Sequence, residues 1–413
     1  MRLRSSLAER AIAARLAELR HGRLDMRRGD TVRTWGDPSA PPLEIRILDD
    51  RFYRAVAFGG AVGAGEAYAE GWWTTDELTG VVRLLLQNRS LLDQLETGWA
   101  RAIQPIRAAM HWVNRNTRRG SRRNIGAHYD LGNDFFATFL DETLTYSCGI
   151  FDRPGASLKD ASIAKYDRIA KLAALAPGDH VIEIGTGWGG FAIHAASQYG
   201  CRVTTTTISE EQFALARQRV AEAGLAERVT VLKRDYRDLE GQYDKLVSIE
   251  MIEAVGHDHY DAYFERCAAL LAPHGRAVIQ AITIDDARYE AARREVDFIK
   301  RHIFPGSCIP SLRVLRQSAA SAGLGMERAD AIGVHYAETL RRWRGNMLAN
   351  RQRLAALGLD DRFQRLWEFY FCYCEGGFLE GAIDTVQFTL ARPGAQQPPS
   401  NDVAAVPELQ PAA

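Results

Sequence analysis

Ten residues, Val181-Ile182-Glu183-Ile184-Gly185-Thr186-Gly187-Trp188-Gly189-Gly190, place a short apolar strand with one carboxylate directly before a glycine-dense turn. Such a turn lets a nucleotide-like ligand approach the backbone closely. Gly185, Gly187 and Gly190 also satisfy the dinucleotide spacing G-x-G-x-x-G, so the turn by itself leaves the ligand open. Two neighbouring features narrow it. A pyrophosphate cofactor usually pairs with an acidic residue about 20 positions on, at the end of the next strand. Here that strand, Arg202 to Thr207, ends in Thr204, Thr205, Thr206 and Thr207. Glu183 stands two residues before Gly185, where its charge would repel a diphosphate and attract an ammonium or sulfonium group. The balance favours S-adenosylmethionine over NAD.

Holding such a turn at the edge of a sheet requires strands and helices in alternation. Strands are expected at His180 to Ile184, Arg202 to Thr207, Val229 to Leu232, Asp244 to Glu250, Arg276 to Thr283 and Thr385 to Leu390. A helix fits Ser209 to Glu222, with Ser209 as cap and Glu211 and Gln212 near the first orphan N–H groups. The alternation implies an α/β fold with a doubly wound, mostly parallel sheet and a ligand crevice at the carboxyl ends of its strands.

Upstream, residues to about 95 read as a small α+β module. It has a leading helix (Ile12, Leu16, Leu19) and strand-like pieces at Leu43, Ile45, Ile47 and at Phe52, Val56, Phe58. Gly63, Gly65, Tyr68, Gly71, Trp72 and Trp73 read as a glycine and aromatic turn that fills a core. From Thr97 to Tyr129 acidic residues are absent while Arg101, Arg107, Arg115, Arg118, Arg119, Arg122 and Arg123 accumulate. Trp99, Ile103, Ile106, Met110 and Val113 fall at helical spacing there. The segment fits either an interfacial helix on anionic lipid or a linker helix docked on the next domain with a solvated basic face. The expected division is 1–95, 96–123 as basic linker helix, 124–392 as the catalytic domain, and 393–413 as a disordered tail rich in Gln, Pro, Ala and Ser.

The chain has 413 residues with 52 basic against 52 acidic, so a charge-driven partner must be met locally. Cys148, Cys201, Cys267, Cys308, Cys372 and Cys374 are scattered without a C-x-x-C pair, which points to reduced thiols in the cytoplasm. No apolar run approaches the length of about 18 residues that a spanning helix needs. His257 and His259 form an H-x-H pair, read as capping a solvated turn, and no metal site is expected.

Further segments carry a resemblance. His128-Tyr129-Asp130-Leu131-Gly132-Asn133-Asp134-Phe135-Phe136, Thr145-Tyr146-Ser147-Cys148, Glu183 to Gly190, Thr207-Ile208-Ser209-Glu210-Glu211-Gln212, and Ile303-Phe304-Pro305-Gly306 with Ile309-Pro310-Ser311 resemble, in that order, the cyclopropane-fatty-acyl-phospholipid synthases. The likeness runs from about residue 60 to 390. It implies a seven-stranded class I S-adenosylmethionine-dependent methyltransferase core behind a lipid-binding N-terminal module. Carried over by motif, Tyr146 and Ser147 line the methionine end of the cofactor. Glu183, Gly185, Thr186, Gly187 and Gly189 take its amino acid and sugar, Thr207, Ile208 and Gln212 its ribose and adenine region, and Tyr236 and Arg237 flank the adenine.

The reaction implied is addition of the sulfonium methyl group to a cis double bond of a phospholipid acyl chain, followed by proton loss and ring closure. An alkene is a poor nucleophile, so the site must align it, exclude water and place a base. The resemblance implies bicarbonate as that base, held at positions matching Cys148, Glu253, Gln280, Ile282 and Tyr336. It also implies peripheral contact at the inner face of the membrane, and leaves a homodimer open. Glu253 is the expected catalytic carboxylate, Cys148 is expected to act through its backbone, and Cys374 matches a cysteine assigned to catalysis in the family. Three positions depart from the pattern: Gln280 and Ala254 stand where the family typically has histidines, and Glu250 where it has a small residue. Gln280 can donate a hydrogen bond but cannot titrate. Glu250 is expected to raise the proton affinity of Glu253 if the two are close.

Overall fold

A computed structural model describes residues 6–89, 131–395 and 403–409. The chain groups into two units. One takes Met1–Val113, Arg294–Ile303 and Trp343–Ala382, and the other Asn114–Arg293, Phe304–Arg342 and Ile383–Ala413. Segments 294–303 and 343–382 thus group with the N-terminal residues, where the sequence suggested one continuous stretch from 124 to 392. Two insertions from a later part of the chain leave no composition break to mark them. The basic run from Thr97 to Tyr129 lies outside the described residues.

The first unit carries a sheet in the order β2-β1-β3-β4, with β1 (Arg23–Arg28), β2 (Thr31–Gly36), β3 (Pro42–Ile47) and β4 (Trp73–Thr74). Leu24, Met26, Ile45 and Ile47 bury one face by strand alternation. The strand expected at Phe52, Val56 and Phe58 is instead part of the helix Arg51–Ala69. Phe52, Tyr53 and Val56 are buried along its first part, which ends at a break at Gly60 (φ 56°, ψ −137°), and Phe58 is exposed, so burial follows a helical period and not a period of two. Gly63, Gly65 and Tyr68 also lie in this helix, so the expected turn is confined to Gly71 and its neighbours. The density of aromatics does fill a core: Tyr68 packs on Trp73 and Phe369, and Phe298 on Phe369.

The second unit is built on a seven-stranded sheet, order β10-β11-β9-β8-β5-β6-β7. Its strands are β5 (His180–Ile184), β6 (Arg202–Thr207), β7 (Val229–Lys233), β8 (Tyr243–Ile249), β9 (Leu271–Ile284), β10 (Gly325–Ala331) and β11 (Ile383–Ala391). β5 to β9 run parallel, and β11 is antiparallel to both β9 and β10. Alternation sends Val181, Val203, Val247 and Val278 to one face, against helices Leu158–Ala173 and Gly190–Tyr199. Ile182, Leu246 and Ile279 go to the other, against Tyr260–Leu270 and Leu312–Ser321. Helices therefore cover both faces, as the doubly wound reading requires. Six strands match the sequence expectation within a few residues, with β9 extended back to Leu271. β10 was missed because Gly325-Met-Glu-Arg-Ala-Asp-Ala is a polar edge strand with little apolar pattern.

Of the expected C-terminal tail, residues 403–409 lack regular structure yet touch the core. Val403 and Leu409 pack on apolar clusters, and the Pro407 carbonyl meets the His335 ring.

Candidate active site

The parallel strands β5 to β9 end along one edge of the sheet, and most of the predicted residues collect there. At β5 the chain turns through Gly185, Gly187 and Gly189, whose φ angles of 102°, 51° and 86° are left-handed. The amides of Gly185 and Thr186 both donate to the Thr206 carbonyl, and the Thr186 and Thr205 hydroxyls lie 2.7 Å apart, which ties the turn to β6. At Gly190 a Cβ would sit 2.4 Å from the Tyr166 hydroxyl, so the helix that follows can approach only without a side chain there. Glu183 is buried and accepts a 2.6 Å bond from Thr205. Burial pushes its carboxyl up to about 8, against the pull of that bond and of Lys165. A buried carboxylate of this kind favours a cationic ligand, which would restore the charge that burial opposes.

Beyond β6, Thr207 donates to the Gln212 side chain at 2.9 Å, and Ser209 caps the helix Glu210–Glu222 as expected, with Ile208 half-buried between them. Tyr236 opens the short 3-10 turn after β7 and packs edge-on against Tyr263. Arg237 is paired twice with buried Asp235, at 2.8 and 2.9 Å, which fixes the guanidinium in place. Tyr146 sits among Phe136, Phe139 and Phe304, and Ser147 accepts 2.7 Å from the Lys165 ammonium. Donors, a buried carboxylate and left-handed backbone thus line one edge, which fits S-adenosylmethionine.

The carboxylate side forms after β8. Glu253 Oε1 accepts from the Ile282 amide at 2.5 Å, while its Oε2 is buried without a hydrogen-bond partner among the described residues. Burial first, and the nearby Glu250 charge second, raise the Glu253 carboxyl to about 8. This is the coupling expected from the unusual carboxylate at 250. Glu250 is itself half-buried and receives three bonds. Oε1 accepts from the Cys148 amide at 3.0 Å and from Gln280 Nε2 at 2.7 Å, and Oε2 from the Tyr336 hydroxyl at 2.7 Å. What Cys148 brings to this set is its backbone amide. Its thiol is fully buried and pushed well above the usual range, so it stays protonated.

Bicarbonate does not fit this arrangement. The amides of Cys148 and Ile282, the Gln280 side chain and the Tyr336 hydroxyl are the donors assigned to it, and each already bonds a carboxylate of the chain itself.

Several supporting residues escaped the sequence reading. Lys165, fully buried and lowered to about 8 by desolvation, was legible as a lysine on the apolar face of its helix, four residues from Ala161 and from Ile169. Arg168 donates to Gln387 at 2.5 Å and to Asp330 at 2.8 Å, and Gln387 Nε2 donates to Gln280 Oε1 at 2.8 Å. The guanidinium thereby orients both amides and turns Gln280 Nε2 toward Glu250. The alternating Thr385, Gln387, Thr389 in buried β11 was its visible sign. Arg219 donates to the carbonyls of Thr143, Trp188 and Glu142, joining the glycine turn to the segment before Tyr146.

Cys374 lies in helix Asp361–Leu379, grouped with the first unit, and burial raises its thiol. His257 bonds Tyr289 and Arg293 rather than capping a solvated turn, because its ring is half-buried against them. Among the described residues no group of three potential metal ligands occurs.

Comparison with known proteins agrees with this geometry. The family model described as mycolic acid cyclopropane synthetase matches residues 116–388. The chain is 42% identical over 366 residues to the tuberculostearic acid methyltransferase of Mycobacterium tuberculosis, covering 87% of this chain and 85% of that protein. It is 34% identical to the cyclopropane-fatty-acyl-phospholipid synthase of Escherichia coli K12, covering 85% and 88%. The crystal structure of mycolic acid cyclopropane synthase CmaA1, complexed with SAH and CTAB, superposes with a TM-score of 0.61 at 32% identity, covering 65% of this chain and 97% of that one. A glycine turn beside a buried carboxylate, on a sheet of this order, is thus accounted for by descent: the chain belongs to the mycolic acid cyclopropane synthetase family and is an S-adenosylmethionine-dependent methyltransferase.

Proposed function

We propose that the protein transfers a one-carbon unit from S-adenosylmethionine to the cis double bond of an unsaturated phospholipid acyl chain and closes it to a cyclopropane. The observation that carries this reading is the pair Glu250 and Glu253, two half-buried carboxylates after β8, one of them with an oxygen that no donor among the described residues satisfies. S-adenosylmethionine supplies an electrophilic methyl carbon. The residues do the rest. Glu183 and the glycine turn hold the donor, the aromatic group around Tyr146 excludes water, and the carboxylates stabilise positive charge and accept a proton. Arg237, held by Asp235, and Tyr236 border the adenine. No helix among the described residues is long and apolar enough to cross a membrane, and the arginine-rich run between 97 and 129 supports peripheral contact with anionic lipid at the inner face.

A second reading, one-carbon transfer without ring closure, is supported by the 42% identical tuberculostearic acid methyltransferase and by Gln280 and Ala254. Incubation with S-adenosylmethionine and vesicles of dioleoyl phosphatidylglycerol separates the two. Mass spectrometry of the acyl chains is expected to show a gain of one CH₂, and proton NMR to show high-field ring hydrogens. Vinylidene or branched-methyl signals would favour the second reading, and unchanged lipid would reject both.

A further inference from the structure

We propose that the side chain of Glu250 is a base built into the chain, standing where a free anion would otherwise have to bind. The inference rests on the one-carbon transfer reading above. Three donors from three separate segments converge on this one carboxylate: the Cys148 amide, the Gln280 amide and the Tyr336 hydroxyl. The Gln280 donor is set from behind, since Arg168 orients Gln387 and Gln387 orients Gln280. Such a set of donors is an anion cradle, and the chain fills it with its own side chain.

The backbone supports the same conclusion. Glu250 is one of three described non-glycine residues with positive φ, at 51°, a conformation that costs free energy for any residue with a Cβ. Glycine would adopt it freely. The next residue, Met251, packs on the donor turn, where a Cβ on Gly185 would lie 3.3 Å from its Cβ and Cγ. The strained turn therefore aims the carboxylate into the edge of the sheet that holds the methyl donor.

The proton balance is simple. The π electrons form a bond to the transferred methyl carbon, the sulfur leaves as neutral S-adenosylhomocysteine, and a carbocation remains. A carboxylate oxygen of Glu250 takes a proton from the added carbon, and the C–H electron pair closes the new C–C bond. Charge and atoms close without a further anion. A 1,2-hydride shift that moves the cation onto the methyl-bearing carbon, followed by loss of a proton from the added carbon to the same base, would give an exocyclic methylene instead.

The test compares wild type, Glu250→Gly and Glu250→Gln in decarbonated buffer, with and without added bicarbonate. Wild type is expected to turn over equally in both. Glu250→Gly, which relieves the backbone strain, is expected to bind S-adenosylmethionine normally, to lose about 10²-fold or more in kcat, and to regain about tenfold with millimolar bicarbonate. Glu250→Gln keeps the cradle filled and is expected to be slow without rescue. A merely structural glutamate would not yield this split between the two variants. Binding of ¹³C-bicarbonate, followed by NMR in the presence of S-adenosylhomocysteine, needs no turnover and so stands even if the lipid assignment fails. Glu250→Gly should bind it and wild type should not. Stimulation of wild type by bicarbonate, binding of the labelled anion to wild type, or full activity of Glu250→Gly in decarbonated buffer would overturn the proposal.

Discussion

Glu183 on β5 and Thr205 on β6 are joined side chain to side chain by a 2.6 Å hydrogen bond, in which the threonine hydroxyl donates to a carboxylate that is 2% exposed. The bond orients the acid toward the glycine turn, and burial leaves it short of positive charge. Replacing Glu183 with Gln keeps the shape and an acceptor for Thr205 but removes the charge. A hydrogen bond to a charged group contributes about 1.5–3 kcal/mol, so S-adenosylmethionine should bind roughly tenfold to 100-fold more weakly. Calorimetry checks this, and unchanged affinity would take Glu183 out of the donor site.

Glu253 offers a different split. With Oε1 on the Ile282 amide and Oε2 without a hydrogen-bond partner among the described residues, Glu253→Gln should retain the first bond and lose the second carboxylate beside the base Glu250. We expect kcat to fall by about 10²–10⁴-fold while donor affinity stays within a factor of about three. Single-turnover kinetics beside a binding titration reads both numbers. An equal loss in the two would mean that the residue shapes the donor pocket instead.

Stability should fall as pH rises from about 6.5 to about 8. Glu183 and Glu253 are both raised to about 8 by burial. In that window the unfolded chain has released these protons and the folded chain still holds them. The folded state therefore binds more protons, and each such carboxyl lowers the unfolding free energy by about 1.4 kcal/mol per pH unit. Below about 6.5 the trend is opposed by His335, which burial lowers to about 4, so that the unfolded chain binds the extra proton there. Thermal unfolding at pH 6.5 and pH 8 measures the slope, and Glu253→Gln should make it shallower.

The relay from Arg168 to Gln280 predicts an effect at a distance. Gln387→Leu would leave the Arg168 guanidinium without one acceptor and free the Gln280 amide to rotate away from Glu250. A loss of about 1–3 kcal/mol in stability is expected for the unsatisfied group, together with slower turnover at unchanged donor affinity. Denaturant unfolding and steady-state rates test both parts. Unaltered kcat in a destabilised variant would confine the relay to folding.

The positions of six strands and the glycine turn were legible because they depend on local pattern. Val181 to Ile184 is apolar and β-branched, the glycines follow at once, and Ser209 with its acidic neighbours announces a helix start. Phe52 to Phe58 misled because three apolar residues at even spacing mimic a strand, while the buried face of the helix also takes in Tyr53, at an odd position. The grouping of 294–303 and 343–382 with the first unit is a property of long-range packing that no local window contains. The same holds for Glu250. Its type was visible as a departure, and its effect on Glu253 followed from charge alone. That its carboxylate takes up the donors at Cys148, Gln280 and Tyr336 depends on three segments spread between residues 148 and 336.

The His335 ring accepts from the Phe151 amide at Nδ1, so its Nε2 is left to donate to the Pro407 carbonyl. Leu409 adds an apolar contact over the Phe151 cluster. The last described stretch of polypeptide is therefore a strap across the ring that precedes Tyr336 in its helix, and shortening the chain before position 403 would slacken a tyrosine more than sixty residues upstream. Trimming that looks harmless on a composition plot would then reach the chemistry.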